Sequence, residues 1–147
     1  MLTSAGLLPY RTGPEVLIAH PGGPFFARKD ARAWSLIKGE VHPGEDAKAA
    51  AAREFAEETG WDCPIDGWLE LGSVRLRSGK TVLGWAVETD FDPGLLNPGH
   101  FTMFWHGRNQ TFPEIDQVRW CDADEARRLL NPAQTPFIDR LLRTLGS

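Results

Sequence analysis

The apolar and polar positions of this chain fall into strand-like and helix-like stretches separated by glycine and proline. Residues 5–10 are apolar, Thr12-Gly13-Pro14 is turn-forming, and residues 15–20 are rich in β-formers, so the chain is expected to open with strand, turn, strand. Pro21-Gly22-Gly23-Pro24 sustains neither period and reads as a loop, and residues 34–37 form a short extended piece. Pro43-Gly44-Glu45-Asp46 then turns into a segment of alanine and glutamate, both strong helix formers, that runs to about Thr59. Ala49, Ala52, Phe55 and Ala56 recur at helical spacing and are the expected buried stripe, and Gly60 ends the helix. Strand-like segments return at 69–76 and 81–88, joined by a hairpin at Ser78-Gly79. Asp92-Pro93-Gly94 and Asn97-Pro98-Gly99 mark a long loop, and 103–106 and 117–120 are further strands. Asp122-Ala123-Asp124-Glu125 has the form of a capping box, with Asp122 as cap and Glu125 reaching back, and opens a helix over 126–130. Thr135-Pro136 opens the last helix. Strands mixed with a few helices give an α+β or α/β/α sandwich.

Composition narrows the class. A length of 147 residues suits one domain spanning 1–147, and 41% hydrophobic residues can build its core without disulfides. Cys63 and Cys121 are far apart and lack metal or redox spacing, as expected of free thiols in a reduced compartment. The net charge of −4 argues against long-range attraction to nucleic acid, so no stable nucleic-acid partner is expected. No apolar stretch approaches the roughly 20 residues of a membrane span, and residues 1–8 lack the basic start and length of a signal peptide. A cytoplasmic protein without a membrane partner is the resulting expectation.

The chemistry lies on the alanine-rich helix. Glu54, Glu57 and Glu58 stand at i, i+3 and i+4, within an arc of roughly 100°. Three carboxylates on so narrow a face repel one another, and they sit near the negative end of the helix dipole. A hard cation on that face would reconcile them, since Mg²⁺ takes oxygen ligands and is completed by water and substrate phosphate.

Gly39, Glu45, Arg53, Glu54, Phe55, Glu57, Glu58, Gly60 and Trp61 follow the order G-x5-E-x7-R-E-U-x-E-E-x-G-U, where U is bulky and apolar. This resembles the signature box of the Nudix hydrolase superfamily, with Trp61 where an aliphatic residue is more usual. The resemblance implies a mixed-sheet α/β/α sandwich and Mg²⁺-dependent cleavage of a phosphoanhydride, with Mn²⁺ as an alternative metal. It implies Glu57 and Glu58 as main metal ligands, Glu54 as a further ligand or a base acting through water, and the backbone carbonyl of Lys38 as another ligand. Arg53 would orient a glutamate, Glu54 first; Gly39 would let the Lys38 carbonyl point inward; Glu45 would tie the loop to the helix or orient a ligand. A base can also come from a loop glutamate, for which Glu114 is the candidate, an ordinary loop acid being the alternative.

Substrate choice is less marked. Trp34-Ser35-Leu36-Ile37-Lys38-Gly39 resembles the entry to the box in diadenosine tetraphosphate and diphosphoinositol polyphosphate hydrolases, with Ile37 replacing their proline. Lys38 would contact phosphate. Trp34, Phe104, Trp105 or Trp120 would stack a base, core packing being the alternative for each, and Arg28, Lys29 and Arg32 would add phosphate contacts or form a solvated loop. A dinucleoside polyphosphate is the first expectation and a nucleoside triphosphate, oxidised or not, the second. A diphosphoinositol substrate, a non-catalytic nucleotide-binding domain and an isomerase are the rival readings, and the partner is a small nucleotide or polyphosphate. Monomer and homodimer stay open, as does any role for the loop at 20–26.

Overall fold

In the computed structural model, which describes residues 2–146, strand β1 (Thr3–Arg11) sends Leu7 to one face of a sheet and Leu8 to the other. Strand β2 (Glu15–Pro21) repeats the alternation, with Val16 and Ile18 joining Leu8 and with Leu17 and Ala19 joining Leu7. Strands apolar on both faces belong in the middle of a sheet covered on both sides. The domain expected over 1–147 includes Met1 and Ser147, which lie outside the described residues.

The sheet is mixed. Strand β5 (Thr81–Glu88) runs parallel to β1 along most of its length, and β4 (Leu69–Arg75) pairs antiparallel outside it. The other edge of β1 is shared between two antiparallel partners. Strand β3 (Ile37–Glu40) takes Ser4 to Leu7, while β2 takes only Tyr10 and Arg11 and then pairs with β8 (Ile115–Asp122). The sheet therefore forks between β2 and β3, with one bridge from Ala19 to Ser35 across the gap. Helix α1 (Ala47–Thr59) covers the Leu7 face, where Phe55 packs with Leu7, Leu17 and Ile37. Helices α2 (Ala123–Leu129) and α3 (Pro136–Leu145) cover the Leu8 face with Leu129, Phe137 and Leu141. This is the expected α/β/α sandwich. Among the described residues no helix is long and apolar enough to cross a membrane.

Several elements differ from the sequence reading. The buried positions of α1 are Ala50, Ala51, Phe55 and Thr59, and Ala49 is exposed. A run of alanines carries little phase information, and Phe55 alone sets the rotation of the helix. Residues 34 and 35 make only isolated bridges, and β3 starts at Ile37. Strand β6 (His100–Trp105) begins before the expected 103, and its partner β7 (Arg108–Pro113) was not foreseen. Arg-Asn-Gln-Thr-Phe-Pro lacks an apolar period, and the pair forms a ribbon apart from the main sheet, turning at His106 and Gly107 with φ of 51° and 81°. Helix α2 starts directly after its cap Asp122, whose carboxylate accepts the Glu125 N–H at 2.8 Å. The Glu125 carboxylate does not complete the box; it accepts from Arg119 at 3.2 Å. Both cysteines are free thiols, and burial pushes Cys63 up to about 11 and Cys121 up to about 12. Neither is a ready nucleophile or proton carrier near neutral pH.

Candidate functional site

Helix α1 carries its glutamates to the mouth of the fork in the sheet. Asp46 caps its start, accepting the Ala49 N–H at 3.0 Å. Gly60 closes it at φ 80°, donating to the Ala56 carbonyl at 2.9 Å. A side chain at Gly60 would also come within 2.8 Å of the Asn97 carbonyl, so the loop beyond β5 can lie against the end of the helix. A backbone ladder fixes that loop: Asn97 N–H donates to Thr59 at 2.9 Å, Gly99 to Glu57 at 3.0 Å and Glu114 to Gly99 at 2.8 Å. The ladder brings Glu114, on the bend before β8, beside the helix glutamates. Lys38, Gly39, Glu54, Glu57, Glu58 and Glu114 line one open cleft of about 610 Å³, with His100 at its edge.

Arg53 organises the near wall. Its Nε and Nη2 donate to both oxygens of Glu45 at 2.8 and 3.0 Å, and Nη1 donates to Glu54 at 2.9 Å and Glu57 at 3.1 Å. Nη2 also reaches the Glu40 carbonyl at 3.0 Å, and Glu45 accepts the His42 N–H at 3.0 Å. Glu45 thus ties the loop to the helix, and Arg53 holds three glutamates rather than one. The Arg53 hydrogen bond, followed by that from His42, holds the Glu45 carboxyl well below its ordinary 4.5, at about 2. A group depressed in this way stabilises the fold fully above its ordinary value and loses that contribution as pH falls through its folded value. Wild type should therefore exceed Glu45→Gln in urea midpoint above about pH 4.5, with the gap closing toward pH 2. A gap that stays constant down to pH 2 would show that the charge on Glu45 does not contribute.

Glu58 is in the opposite situation. Its Oε2 is buried without a hydrogen-bond partner. Burial, then the nearby Glu54 and Glu114, push its carboxyl up to about 8, against the pull of Lys38. Glu114 is raised by burial and by Glu54. Lys38 is lowered by burial and by Lys80, although Glu58, Glu40 and Glu54 oppose the shift. Gly39 lies so close that a Cβ there would overlap the Glu54 carboxyl group. The glycine therefore makes room for a carboxylate, which is more than the freedom of the Lys38 carbonyl expected of it.

An orphaned oxygen of the raised Glu58 carboxyl, with Glu54, Glu57 and Glu114 lining the same cleft, fits a hard cation. Among the described residues no three carboxylates or imidazoles stand at a common ligand distance, because Arg53 draws Glu54 and Glu57 to itself. Glu57, 58% exposed, is the side chain that would swing toward a cation held by Glu58.

A second cavity of about 280 Å³ lies in the fork and shares Lys38, Glu58 and Glu114 with the acidic cleft. Its other walls are Ala19, Pro21, Phe26, Ser35, Leu36 and Ile115, which are largely apolar. Sequence reading missed this chamber, whose walls come from segments that no motif connects. Trp34 is 2% exposed, packed with Leu129 and Leu130, and its indole N–H donates to Asp30 at 2.9 Å, so of its two expected roles it takes the core one and not base stacking. Arg28 lines a separate depression with His20, Asp30 and Asp116, which shares no lining residue with the two cavities. Trp120 is engaged by Arg11 at 4.2 Å and Trp105 by Phe25 at 5.3 Å.

The sequence profile of the NUDIX domain matches residues 2–141. An RNA pyrophosphohydrolase of Caulobacter vibrioides is 31% identical over 84% of this chain and 78% of its own length. One from Rickettsia rickettsii is 29% identical over 95% and 92%. The crystal structure of a C. elegans Ap4A hydrolase binary complex superposes with a TM-score of 0.67 at 20% identity, covering 97% of this chain and 98% of that one.

Proposed function

The chain belongs to the Nudix family, and from that membership we propose that it is a Mg²⁺-dependent pyrophosphohydrolase acting on a nucleoside diphosphate linked to another group. The observation that carries the reading is the buried, unpartnered Oε2 of Glu58 in a cleft lined also by Glu54, Glu57 and Glu114. Glu54, Glu57, Glu58 and the Lys38 carbonyl would hold the cation, and all four are oxygen donors of the kind Mg²⁺ or Mn²⁺ takes. Such a metal, when bound, neutralises phosphate charge and activates water.

The chain's own groups supply the rest. Arg53 orients Glu54 and Glu57. Glu114, made more basic by burial and by Glu54, takes the proton of the attacking water, with Glu54 as the alternative base. The ammonium of Lys38, on the wall common to both cavities, faces the polyphosphate. The apolar chamber between Phe26, Leu36 and Ile115 receives the base of one nucleotide, while the larger cleft stays open for the group beyond the scissile bond.

An open far side supports a dinucleoside polyphosphate first and a nucleoside triphosphate, oxidised or not, second. The RNA pyrophosphohydrolase relatives favour one further reading, the polyphosphate end of an RNA whose chain leaves by the same open side. The acidic cleft gives little support to a diphosphoinositol substrate, which needs many cations around it. A binder without catalysis would not need all three helix glutamates. The test is a screen with Mg²⁺ against diadenosine tetraphosphate, nucleoside triphosphates, a triphosphate-ended RNA oligomer and a diphosphoinositol phosphate. The dinucleotide should lead the RNA in kcat/KM by about tenfold or more. The reverse order would establish the RNA reading, and cleavage of none would end the hydrolase reading.

A further inference from the structure

His20 lies at the end of β2 and is buried, 7% exposed. Its Nδ1 is 2.8 Å from a carboxylate oxygen of Asp116 on β8, and its Nε2 is 2.6 Å from the Lys29 carbonyl. A carbonyl oxygen and an ionised carboxylate only accept hydrogen bonds, so both ring nitrogens face acceptors. A neutral imidazole has one N–H and can serve only one of them. The ring packs edge to face against Trp34, with centroids 5.3 Å apart. Arg28, Lys29 and Asp30 are the other charged groups around the same depression.

The two acceptors belong to segments that wall the reactive cleft. Lys29 closes a turn on Phe26 through a backbone hydrogen bond of 3.0 Å, and its ammonium lies 5.6 Å from the Phe26 ring. Phe26 is a wall of the apolar chamber. Asp116 stands two residues after Glu114, whose carbonyl accepts the Gly22 N–H at 3.0 Å. The 21–29 loop is thus tied to the start of β8 at two points, and His20 makes the second.

We propose that His20 is a positioning residue: as an imidazolium donating from both ring nitrogens, to Asp116 and to the Lys29 carbonyl, it straps the 21–29 loop onto β8 and sets the Phe26 wall of the substrate chamber. The effect on turnover rests on the chamber being where substrate binds, whereas the protonation of the ring does not. Ring nitrogen spectra of ¹⁵N-labelled protein separate the two. At neutral pH both His20 ring nitrogens should carry protons, one facing the Asp116 carboxylate and the other the Lys29 carbonyl. Asp116→Asn, which keeps an acceptor and removes the charge, converts the His20 ring to a neutral tautomer at that pH. His20→Asn raises KM for the cleaved polyphosphate by about tenfold with kcat changed less than about twofold, because it loosens a binding wall and leaves the glutamates in place. A neutral His20 ring in wild type overturns the strap, as does a ring unaffected by Asp116→Asn. A His20→Asn loss confined to kcat removes the positioning role even if the ring is charged. Absence of cleavage in wild type, with the charged ring retained, counts against the hydrolase reading and not against the strap.

Discussion

Gly39→Ala is expected to lower kcat by about 100-fold or more while leaving the thermal midpoint nearly unchanged. The added Cβ falls where the Glu54 carboxyl group now lies. Glu54 cannot share that space, and its side chain must turn away from β3. It then leaves Nη1 of Arg53, the group that also holds Glu57, so two of the three helix glutamates lose their orientation. A displacement of this size, of the order of 1 Å, suffices to cost two orders of magnitude in a preorganised site. The fold has no comparable stake in Gly39. Its register opposite Ala5 is an ordinary antiparallel pairing that alanine can make. Circular dichroism and a melting curve beside the activity assay would separate the two effects. An active Gly39→Ala enzyme would show that Glu54 need not sit where it does.

Glu58→Gln should reduce turnover by at least about 100-fold, because it weakens the hold on the cation that would offset charge developing on the phosphate. It should do so without loss of stability in metal-free buffer. Glu58 is buried, its Oε2 has no partner, and its neighbours Glu54 and Glu114 repel its charge. Its carboxyl is raised from 4.5 to about 8, so the folded state binds a proton more tightly than the unfolded chain does. Stability tied to this group is therefore lost as pH rises from about 4.5 toward 8. Glutamine keeps the shape without that liability. In the presence of a chelator the variant should melt at or above the wild-type temperature at neutral pH, and its melting should depend less on pH across that window. Lower stability together with lower activity would mark Glu58 as a structural residue instead.

The helix and its motif were legible because both follow from local chemistry. Alanine and glutamate favour a helix, Asp46 caps it, Gly60 ends it, and carboxylates at i, i+3 and i+4 share a face. The sheet strands β1, β2, β4 and β5 were legible for the same reason. The rotation of α1 was not, since alanines look alike and only Phe55 distinguishes a side. Strand β7 escaped because its residues are polar, in a ribbon that buries little. The apolar chamber escaped because it forms where β2 and β3 part from each other along β1, an outcome of pairing between distant segments. Trp34 was left between two roles by the sequence, and tertiary contacts decide it. Its place just before the motif suggested a base-stacking ring, but the bridge to Leu130 and the bond to Asp30 turn it into the core. His20 could not be assigned from sequence, because both its partners are set by tertiary contact.

The measurement that bears most directly on a cation held by the helix glutamates is the dependence of hydrolysis rate on Mg²⁺ concentration, in wild type and in Glu58→Gln. Wild type should be inactive in chelator and saturate with Mg²⁺, and the variant should need about 10 to 100 times more metal for half-maximal rate and reach a lower plateau. Superimposable metal curves for the two proteins, or undiminished hydrolysis in chelator, would contradict it.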